Sequence, residues 1–598
     1  MKVVPTAVQP PTLWKYLVGA ALALVILIPL WTVFVMMELQ PDSLMIQEQT
    51  MNNRLLWWVA GPVVVVTLIF GMRWQHASNA TQTRERAASM KTKQIVETDQ
   101  SKREYVLEVI GLGVTLDKYR QGSLWAALQN GSPYATIRDQ DKSKYFWSIM
   151  DKIGISGGRG GDSLENGAQY TPKYYGVPVF NAEPPVHNAW ADKPDAPLSG
   201  LASGSVLSGM AWHLFVVGPR RFGEHPDRIL EDVFSFFDAN PDVPYVVLNS
   251  DDSMASREGY RAEGSPPLLK DGHYIPAMPD ASTLLVLARR ERVDPVRPFV
   301  WDDPDNKFLQ NVFRWMYCEL EEAVPHPERK KILRTPAEVG ADPIRHEGSD
   351  PAQRKPLVSE WLEAAAAFAQ RPDIRGTAPV SMADRLNPFG HSKPWPYPPA
   401  DWKPTPWFPI PWNREQLATF DRLPTLGFIH RPTFVKFTDE HGKPLTRRDA
   451  REKALQAGWQ QALLTLPEAD RPKSPSLVIA ATGDNHEQLN LLHSTLRAHA
   501  ANGGPEIDSG KSAQFIDTDK RLGNTGATTL FMQMAIGVMG SYREGGISAA
   551  VNLRDSGEAS IVFISPPSED KRKTQHHPRG GDVFAHHGSP AVEPADYK

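Results

Sequence analysis

Two long runs of apolar residues without charge lie near the N-terminus, at residues 17–37 and 55–72. As a helix, the first run spans about 30 Å, the thickness of the hydrocarbon core of a bilayer. Trp14, Trp57 and Trp74 lie near the ends of the runs, where aromatic side chains sit at the lipid headgroups. The pattern predicts two transmembrane helices that form a hairpin around a short external loop, residues 38–54.

The charges that flank these runs predict their orientation. Lys2 and Lys15 precede the first run, Arg73 and further basic residues follow the second, and the loop carries mainly acidic residues. The positive-inside rule places residues 1–16 and the linker 73–103 in the cytoplasm. A cleaved signal peptide is the alternative, but the first run is too long and no small-residue cleavage site follows it. Neither run contains an ionisable residue, so the hairpin is interpreted as a tether without a transport path.

The pattern after the linker alternates between strands and helices and predicts a first α/β domain, residues 104–330. Apolar runs at 211–218, 244–252 and 282–290 are typical of buried strands. Between the first two, apolar residues recur with helical spacing after Pro226, so this segment is interpreted as a βαβ unit with a parallel sheet. A further helix is predicted at 307–324.

A second α/β domain is predicted at residues 426–566. A strand ending near Asp484 leads into a helix with Glu487 three residues later, a capping-box spacing, and Gly503 follows the helix. Both domains contain a strand, a polar turn with His and Glu, and then a helix, which hints that they are related. The polar tail, residues 567–598, lacks periodicity and is predicted to be disordered. The fold class is therefore α/β, with mixed or parallel sheets.

The connector at residues 331–425 is rich in proline and aromatic residues, and proline excludes helix or central strand over 387–412. Aromatic side chains at this density either form a surface that binds a partner or pack between the two domains. Both alternatives stay open. The candidate partner-binding residues are Trp395, Tyr397, Trp402, Trp407, Phe408 and Trp412.

Composition narrows the class of protein. The formal net charge is −4, so no basic footprint for nucleic acid is present. Cys318 is the single cysteine, which excludes an intramolecular disulfide. The length of 598 residues favours two soluble domains with appendages.

Short motifs do not predict catalysis. Residues 154–158 match the G-x-S-x-G pattern around Ser156, but the preceding segment resembles a helix and not a buried strand, so a flexible glycine loop is predicted. The same stretch lacks the lysine and hydroxyl of a phosphate-binding P-loop. Asp251 and Asp252 end a strand and are interpreted as turn caps. His576, His577, His586 and His587 lie in the polar tail without a ligand framework. No catalytic residue, cofactor or metal is predicted.

Several longer segments carry a resemblance. "EYVLEVIGLGVTLDKYRQGSLWAAL", "HLFVVGPRRFGEHPDRILEDVFSFF" with "VPYVVLNSDDS", and "SLVIAATGDNHEQLNLLHSTLRAHA" resemble the type VI secretion lipase-adaptor family. The resemblance implies a non-catalytic adaptor that binds a lipase effector and helps to load it on the secretion spike. Together with the hairpin, it predicts a two-pass protein of the bacterial inner membrane with both termini in the cytoplasm. The alternative is a membrane-anchored α/β hydrolase, esterase- or lipase-like, acting at the cytoplasmic face, which requires Ser156 or Asp251 beside a histidine.

Overall fold

The computed structural model describes residues 105–172, 177–187, 215–222, 225–302 and 410–587, with short pieces between 362 and 408. The chain divides into two units, Met1–Lys102 and Arg103–Lys598, and all described residues lie in the second. The predicted transmembrane runs, the linker and the predicted helix at 307–324 lie outside the described residues. Within those ranges, no helix has the length and apolar character needed to cross a bilayer.

The N-terminal half of the described body contains six strands and four α-helices. They are β1 (Val106–Leu116), β2 (Tyr119–Arg120), α1 (Gln121–Gln129), α2 (Ile149–Ala168), β3 (Val177–Glu183), β4 (Phe215–Phe222), α3 (Ile229–Ala239), β5 (Tyr245–Asp252), α4 (Met254–Tyr260) and β6 (Ala281–Ala288). The strands predicted at 211–218, 244–252 and 282–290 correspond to β4, β5 and β6, and α3 is the predicted helix between the first two.

The C-terminal half contains the remaining elements. They are α5 (Arg414–Arg422), β7 (Gly427–His430), β8 (Thr433–Lys436), α6 (Arg448–Leu463), β9 (Leu477–Ala481), α7 (His486–Ala501), β10 (Phe515–Asp517), α8 (Thr518–Leu522), α9 (Thr529–Glu544), β11 (Ser548–Asn552), β12 (Glu558–Ser565) and α10 (Glu569–Thr574). The N-cap of α7 is Asn485, whose side chain accepts from the Glu487 and Gln488 amides, and not Asp484.

One mixed sheet of twelve strands runs through both halves in the order β10-β9-β11-β12-β7-β1-β6-β5-β3-β4, with β2 beside β1 and β8 beside β12. In the N-terminal half, β3 pairs parallel with β4 and β5, while β5–β6 and β6–β1 are antiparallel. In the C-terminal half, β9 pairs parallel with β10 and β11, while β11–β12 and β12–β7 are antiparallel. The two halves therefore repeat one plan and join through the antiparallel pair β1–β7. The mixed α/β class is confirmed.

The glycine-rich stretch at 154–161 lies inside α2, so the prediction of a flexible loop there is wrong. Glycine disfavours a helix by about 1 kcal/mol per residue, but α2 packs on the sheet and this contact requires small residues. A Cβ on Gly113 of β1 would lie 1.8 Å from the Ser163 carbonyl oxygen, and one on Gly167 would lie 2.4 Å from Leu284 Cδ2. Burial against β1 and β6 therefore overrides local propensity.

The helix α9 forms the centre of the larger core. Its residues from Thr529 to Tyr542 are all buried. It packs on β9, β11 and β12 of its own half and on β6 and α1 of the other. A helix that is apolar on all sides is typical of such a position. On the opposite face of the C-terminal strands, α6 and α7 cover a second apolar cluster.

The tail folds onto this body up to residue 587, so the prediction of disorder is wrong for residues 567–587. Phe584 is buried, its ring packs edge-on against Tyr542, and its carbonyl accepts from the Gly122 amide. Two apolar residues, Val583 and Phe584, anchor an otherwise polar segment, which periodicity does not reveal. Residues 588–598 lie outside the described residues.

Candidate functional site: a cleft between the two halves

A cleft with a volume of about 870 Å³ lies between the two halves at the carboxyl ends of β3 and β5. Ligands of open α/β sheets bind at this edge. The N-terminal half contributes the turn after β3, the turn before α3 and the end of β5, whereas the C-terminal half contributes the turn before α9, the end of β11 and the start of β12. Its walls include Pro184, Pro185, Asp227, Asp252, Arg257, Asn524, Ala527, Asn552, Arg554 and Glu558.

Polar contacts between the halves border the cleft. The Arg228 guanidinium pairs with the Glu558 carboxylate through both of its branches, with 2.8 Å from Nε to Oε1. It also lies 4.2 Å from the centroid of the Phe434 ring, in cation–π geometry. Such bidentate pairs fix geometry as well as charge. This contact therefore fixes the start of α3 against β8 and β12.

A second set of contacts joins β5 to the turn before α9. The Ala527 amide donates to Asp252 Oδ2 at 2.6 Å, and Ser250 Oγ donates to Thr528 Oγ1 at 3.0 Å. Arg257 holds the other oxygen of Asp252. The turn can approach this closely because Gly526 has a φ of +57° and no Cβ, which would lie 1.9 Å from Asp252 Oδ2.

Asp227 is a buried carboxylate in this cleft. Burial raises its pKa to about 6, although hydrogen bonds from Ser560 and Asn552 favour the charged form. The Asn552 contact spans 2.9 Å. Burial likewise raises the pKa of Asp251 to about 6, against hydrogen bonds from Ser256 and Ser253. Asp227, Asp252 and Glu558 are thus each held by donors of the opposite half, and their arrangement is that of structural contacts.

The two halves differ at equivalent strand ends. After β9, the Thr482 and Gly483 amides both donate to Asp519 Oδ2, at 2.6 and 2.7 Å, and Arg554 pairs with its other oxygen. After β3, the corresponding two positions are Pro184 and Pro185, which have no N–H group. The two amides after β9 are therefore occupied by an aspartate of the same half, and the described turn after β3 offers no N–H donor at the corresponding two positions.

Ser156 does not form a nucleophile elbow. It is buried inside α2, donates to Asp280 Oδ1 at 2.8 Å and accepts from the Ala255 amide at 2.9 Å. Arg159 pairs with the same aspartate at 2.7 Å. Asp251 accepts hydrogen bonds from the Ser253 and Ser256 hydroxyls. These contacts join α2 to α4, and the arrangement with histidine that a hydrolase requires is not formed by either residue within the described residues.

The aromatic residues of the connector pack into the core where they are described. Trp407, Phe408 and Trp412 are 1–2% exposed, so they offer no free face to a partner. The Trp407 ring packs edge-on against Phe236 and its Nε1 donates to Asn240 Oδ1 at 3.0 Å. At these positions the aromatic side chains pack into the core, and burying large aromatic surface stabilises the fold.

Trp395 and Tyr397 lie outside the described residues, and Trp402 is half-buried. Trp402 packs edge-on against Phe299, and its Nε1 donates to the Phe408 carbonyl at 3.0 Å. For Trp395 and Tyr397, partner binding stays a prediction.

The tail histidines form a packed pair and not a ligand set. The His577 and His587 rings stack with centroids 4.0 Å apart. Burial, then the neighbouring His587, lowers the pKa of His577 to about 4. Across the described ranges, no group of three His, Cys, Asp or Glu side chains is placed to hold a metal ion.

The sequence did not point to Asp227, Arg228, Asn552 and Glu558 as a group. Their contacts join residues more than 300 positions apart, so no local motif links them. The one feature of the sequence that could have pointed to these residues is their position beside strand ends and the first turn of a helix.

Comparison with known proteins gives matches in both halves. The family model described as "Type VI lipase adapter protein Tla3, N-terminal" matches residues 105–271, and "Type VI lipase adapter protein Tla3, C-terminal" matches 426–566. Among solved structures, a ketosynthase from module 6 of the bacillaene synthase of Bacillus subtilis 168 is 8% identical, with 78% of this chain and 71% of that chain covered and a TM-score of 0.36. Human mitochondrial 3-ketoacyl-CoA thiolase in complex with CoA is 11% identical, with 78% and 99% covered and a TM-score of 0.27. Likenesses at these scores say nothing about activity. The two family matches together cover just over half of the chain, which therefore belongs to the type VI lipase adapter family.

Proposed function

We propose that this protein is a non-catalytic adaptor that binds a lipase effector and helps to load it on a type VI secretion spike while tethered to the inner membrane. The observation that carries the proposal is the pair of family matches, one in each half of a single sheet. The matches, at residues 105–271 and 426–566, therefore lie in both halves of the described body.

The contacts of the polar residues support a binding role without chemistry. The carboxylates of the cleft are engaged by Arg228, Arg257, Asn552 and backbone amides. Ser156 is buried with a full set of hydrogen bonds inside α2. A general base or nucleophile must reach a substrate, whereas the cleft carboxylates join the two halves and Ser156 joins α2 to α4.

The effector part of the proposal is tested with purified components. The full chain, extracted in detergent, is immobilised and exposed to the purified lipase effector of the same secretion system. We expect saturable binding, and addition of the spike protein is expected to give a ternary complex. Absence of lipase binding contradicts adaptor function, whereas lipase binding without spike recruitment contradicts only the loading step.

The tether rests on the uncharged runs at 17–37 and 55–72. We expect the full chain to stay in the membrane pellet during alkaline extraction. Ile26→Arg places a charge at the centre of the first run, which costs about 3 kcal/mol at the middle of a membrane helix, and is expected to increase the extracted fraction. Lys15→Arg, which keeps the flanking charge, is the matched control. Complete extraction of the native protein would contradict the tether.

A further inference from the structure

The described part of the tail lies in a groove of the body. We call residues 575–587, which follow α10, the docked tail. It has no helix or strand of its own and runs over β1, the end of α2 and residues 423–426. A cavity of about 20 Å³ lies between these walls and four residues of the docked tail, which are His577, Pro578, Val583 and Ala585. The docked tail is therefore held by its contacts with the body and not by internal structure.

The docked tail is anchored near its C-terminal end. The Gly122 amide donates to the Phe584 carbonyl at 3.1 Å, and the His587 amide donates to Asn166 Oδ1 at 3.0 Å. Val583 and Phe584 are buried, with exposed fractions of 8% and 2%. A segment anchored by one apolar pair and by main-chain hydrogen bonds opens locally, without unfolding of the sheet beneath it.

His577 is uncharged in the docked tail. Its Nδ1 accepts a hydrogen bond from the Arg579 amide at 3.2 Å, so this nitrogen carries no proton. The side chain is buried and packs edge-on against Tyr170. Burial, then His587 and Arg579, lowers the pKa of His577 to about 4. A proton on Nδ1 would set one donor against another and break this contact.

Two further histidines lie beside it. The His577 and His587 rings stack with centroids 4.0 Å apart and an angle of 29° between the planes. Two uncharged rings pack well at this distance, whereas two imidazolium cations repel each other. The Nε2 atoms of His586 and His587 are buried and have no hydrogen-bond partner among the described residues. Protonation therefore leaves a buried charged donor unsatisfied.

The charged groups around these histidines come from the end of β2, from α2, from α9 and from the docked tail itself; they are Arg120, Asp162, Glu165, Arg543, Arg579 and Asp582. Asp162 pairs with Arg120 at 2.9 Å, and Asp582 pairs with Arg543 at 2.6 Å. Glu165 faces Arg579. Residues 110–112 of β1 and residues 423–426 contain no ionisable side chain. Among the described residues, each nearby carboxylate thus already has an arginine, and an imidazolium finds no free counter-ion.

We infer that the docked tail is an acid-released latch, which stays in its groove while His577, His586 and His587 are uncharged and leaves the groove when they are protonated. Release uncovers the apolar side chains of Val583 and Phe584 and the groove beneath them. This inference does not depend on the proposed adaptor function.

The direction and the size of the effect follow from linkage between protonation and docking. A histidine in the released tail has its ordinary pKa of about 6.5, whereas His577 in the docked tail has a pKa of about 4. Docking is therefore strongest above pH 6.5 and is lost as the pH falls towards 4. At pH 5 this histidine alone lowers the ratio of docked to released tail about 30-fold. Burial also lowers the pKa of His586, which adds to the loss.

Hydrogen exchange of the full chain in detergent, followed by mass spectrometry, tests the latch. Exchange rates are corrected for the intrinsic effect of pH, and the protection of a peptide covering residues 575–587 is compared at pH 7.5 and pH 5. We expect its protection to fall at least about 30-fold, while a peptide covering β6 stays protected. Phe584→Ala provides the reference for a released tail at both pH values.

Matched substitutions identify the groups that titrate. His577→Gln removes one group that takes up a proton and is expected to reduce the fall in protection about 30-fold. His587→Gln removes the stacked partner, keeps the hydrogen bond between His577 and the Arg579 amide, and is expected to reduce the fall several-fold. His576→Gln is the matched control, because His576 is adjacent and exposed, and it is expected to leave the fall unchanged.

Three results would overturn the latch. The first is equal protection of the native docked tail at both pH values. The second is a fall that is as steep in His577→Gln and His587→Gln as in the native protein, because other groups then titrate. The third is a simultaneous loss of protection in β6, which indicates acid unfolding of the whole body. If His577→Gln is already unprotected at pH 7.5, His587→Gln decides: a smaller fall supports the latch, and an undiminished fall overturns it.

Discussion

Replacing Gly157 and Gly158 with alanine is expected to stabilise the protein. Both residues lie in the middle of α2, both are exposed, and a Cβ at either position would meet nothing within 4 Å. Alanine is better than glycine inside a helix by about 1 kcal/mol, since glycine loses more backbone freedom on folding. The double variant is therefore expected to gain about 2 kcal/mol.

Gly167 in the same helix provides the matched control. Its Cβ would lie 2.4 Å from Leu284 Cδ2 and 3.0 Å from the Gly113 backbone nitrogen. Gly167→Ala has the same gain in helix propensity but must push α2 away from β1 and β6. Overpacking of this kind costs about 1–3 kcal/mol, so a net loss of stability is expected from the same chemical change.

The assay is thermal unfolding of the full chain in detergent, followed by intrinsic fluorescence and circular dichroism. For a unit of this size, a gain of about 2 kcal/mol raises the melting temperature by about 2 °C, and Gly167→Ala is expected to lower it. If the double variant is less stable than the native protein, the stretch requires glycine at these positions and is not a helix. That result would restore the flexible loop and would reopen a functional role for the G-x-S-x-G pattern.

Three further changes follow from buried groups. Asp227→Asn removes a carboxyl whose pKa is raised to about 6. Because the native state binds this proton more tightly than the unfolded state does, the stability of the native protein falls as the pH rises from about 4 to 6. In urea titrations the variant should not show this decrease, and it should be more stable than the native protein at pH 7.5 by at most about 3 kcal/mol. His430→Gln should change the pH dependence in the opposite sense. Burial lowers the pKa of His430 to about 4, so the native protein loses stability as the pH falls from 6.5 towards 4, and the variant should lose less. If stability falls equally steeply with pH in the variant, this assignment is contradicted. Phe584→Ala should release the tail, because burial of this ring anchors it. Trypsin should then cleave after the exposed Arg579 faster than in the native protein. Equal cleavage rates would contradict the docked tail.

Much of the secondary structure could be predicted from local patterns. The strand at Tyr245–Asp252 and the helix at His486–Ala501 appear in the sequence as an apolar run and as an amphipathic repeat with a polar cap. The helix at Ile149–Ala168 could not be predicted in this way. Its glycines argue against a helix locally, and only the tertiary structure shows that Gly167 is required by the close contact with Gly113 and Leu284, whereas Gly157 and Gly158 face open space.

The candidate sites were less accessible from the sequence. Density of aromatic residues near Trp407 and Trp412 is equally compatible with an exposed surface and with a buried seam, because composition does not determine which side chains lose solvent. The cleft depends on pairs such as Arg228 and Glu558, 330 positions apart. Lys152 likewise joins two segments about 120 positions apart, since its ammonium donates to the Gly272 carbonyl.

By itself, the sequence determined the two uncharged runs near the N-terminus, the α/β class, the order of most strands and helices, and the resemblance to an adapter family. These properties are local, since they follow from hydrophobic period, helix caps and the run of residues within single segments. Only the tertiary structure decided that the halves share one sheet through β1 and β7, that α2 accommodates its glycines, and which aromatic side chains are buried. These outcomes depend on strand pairing and on packing between segments that are distant in the chain. The interaction energies that decide them cannot be read from the local pattern of any single segment.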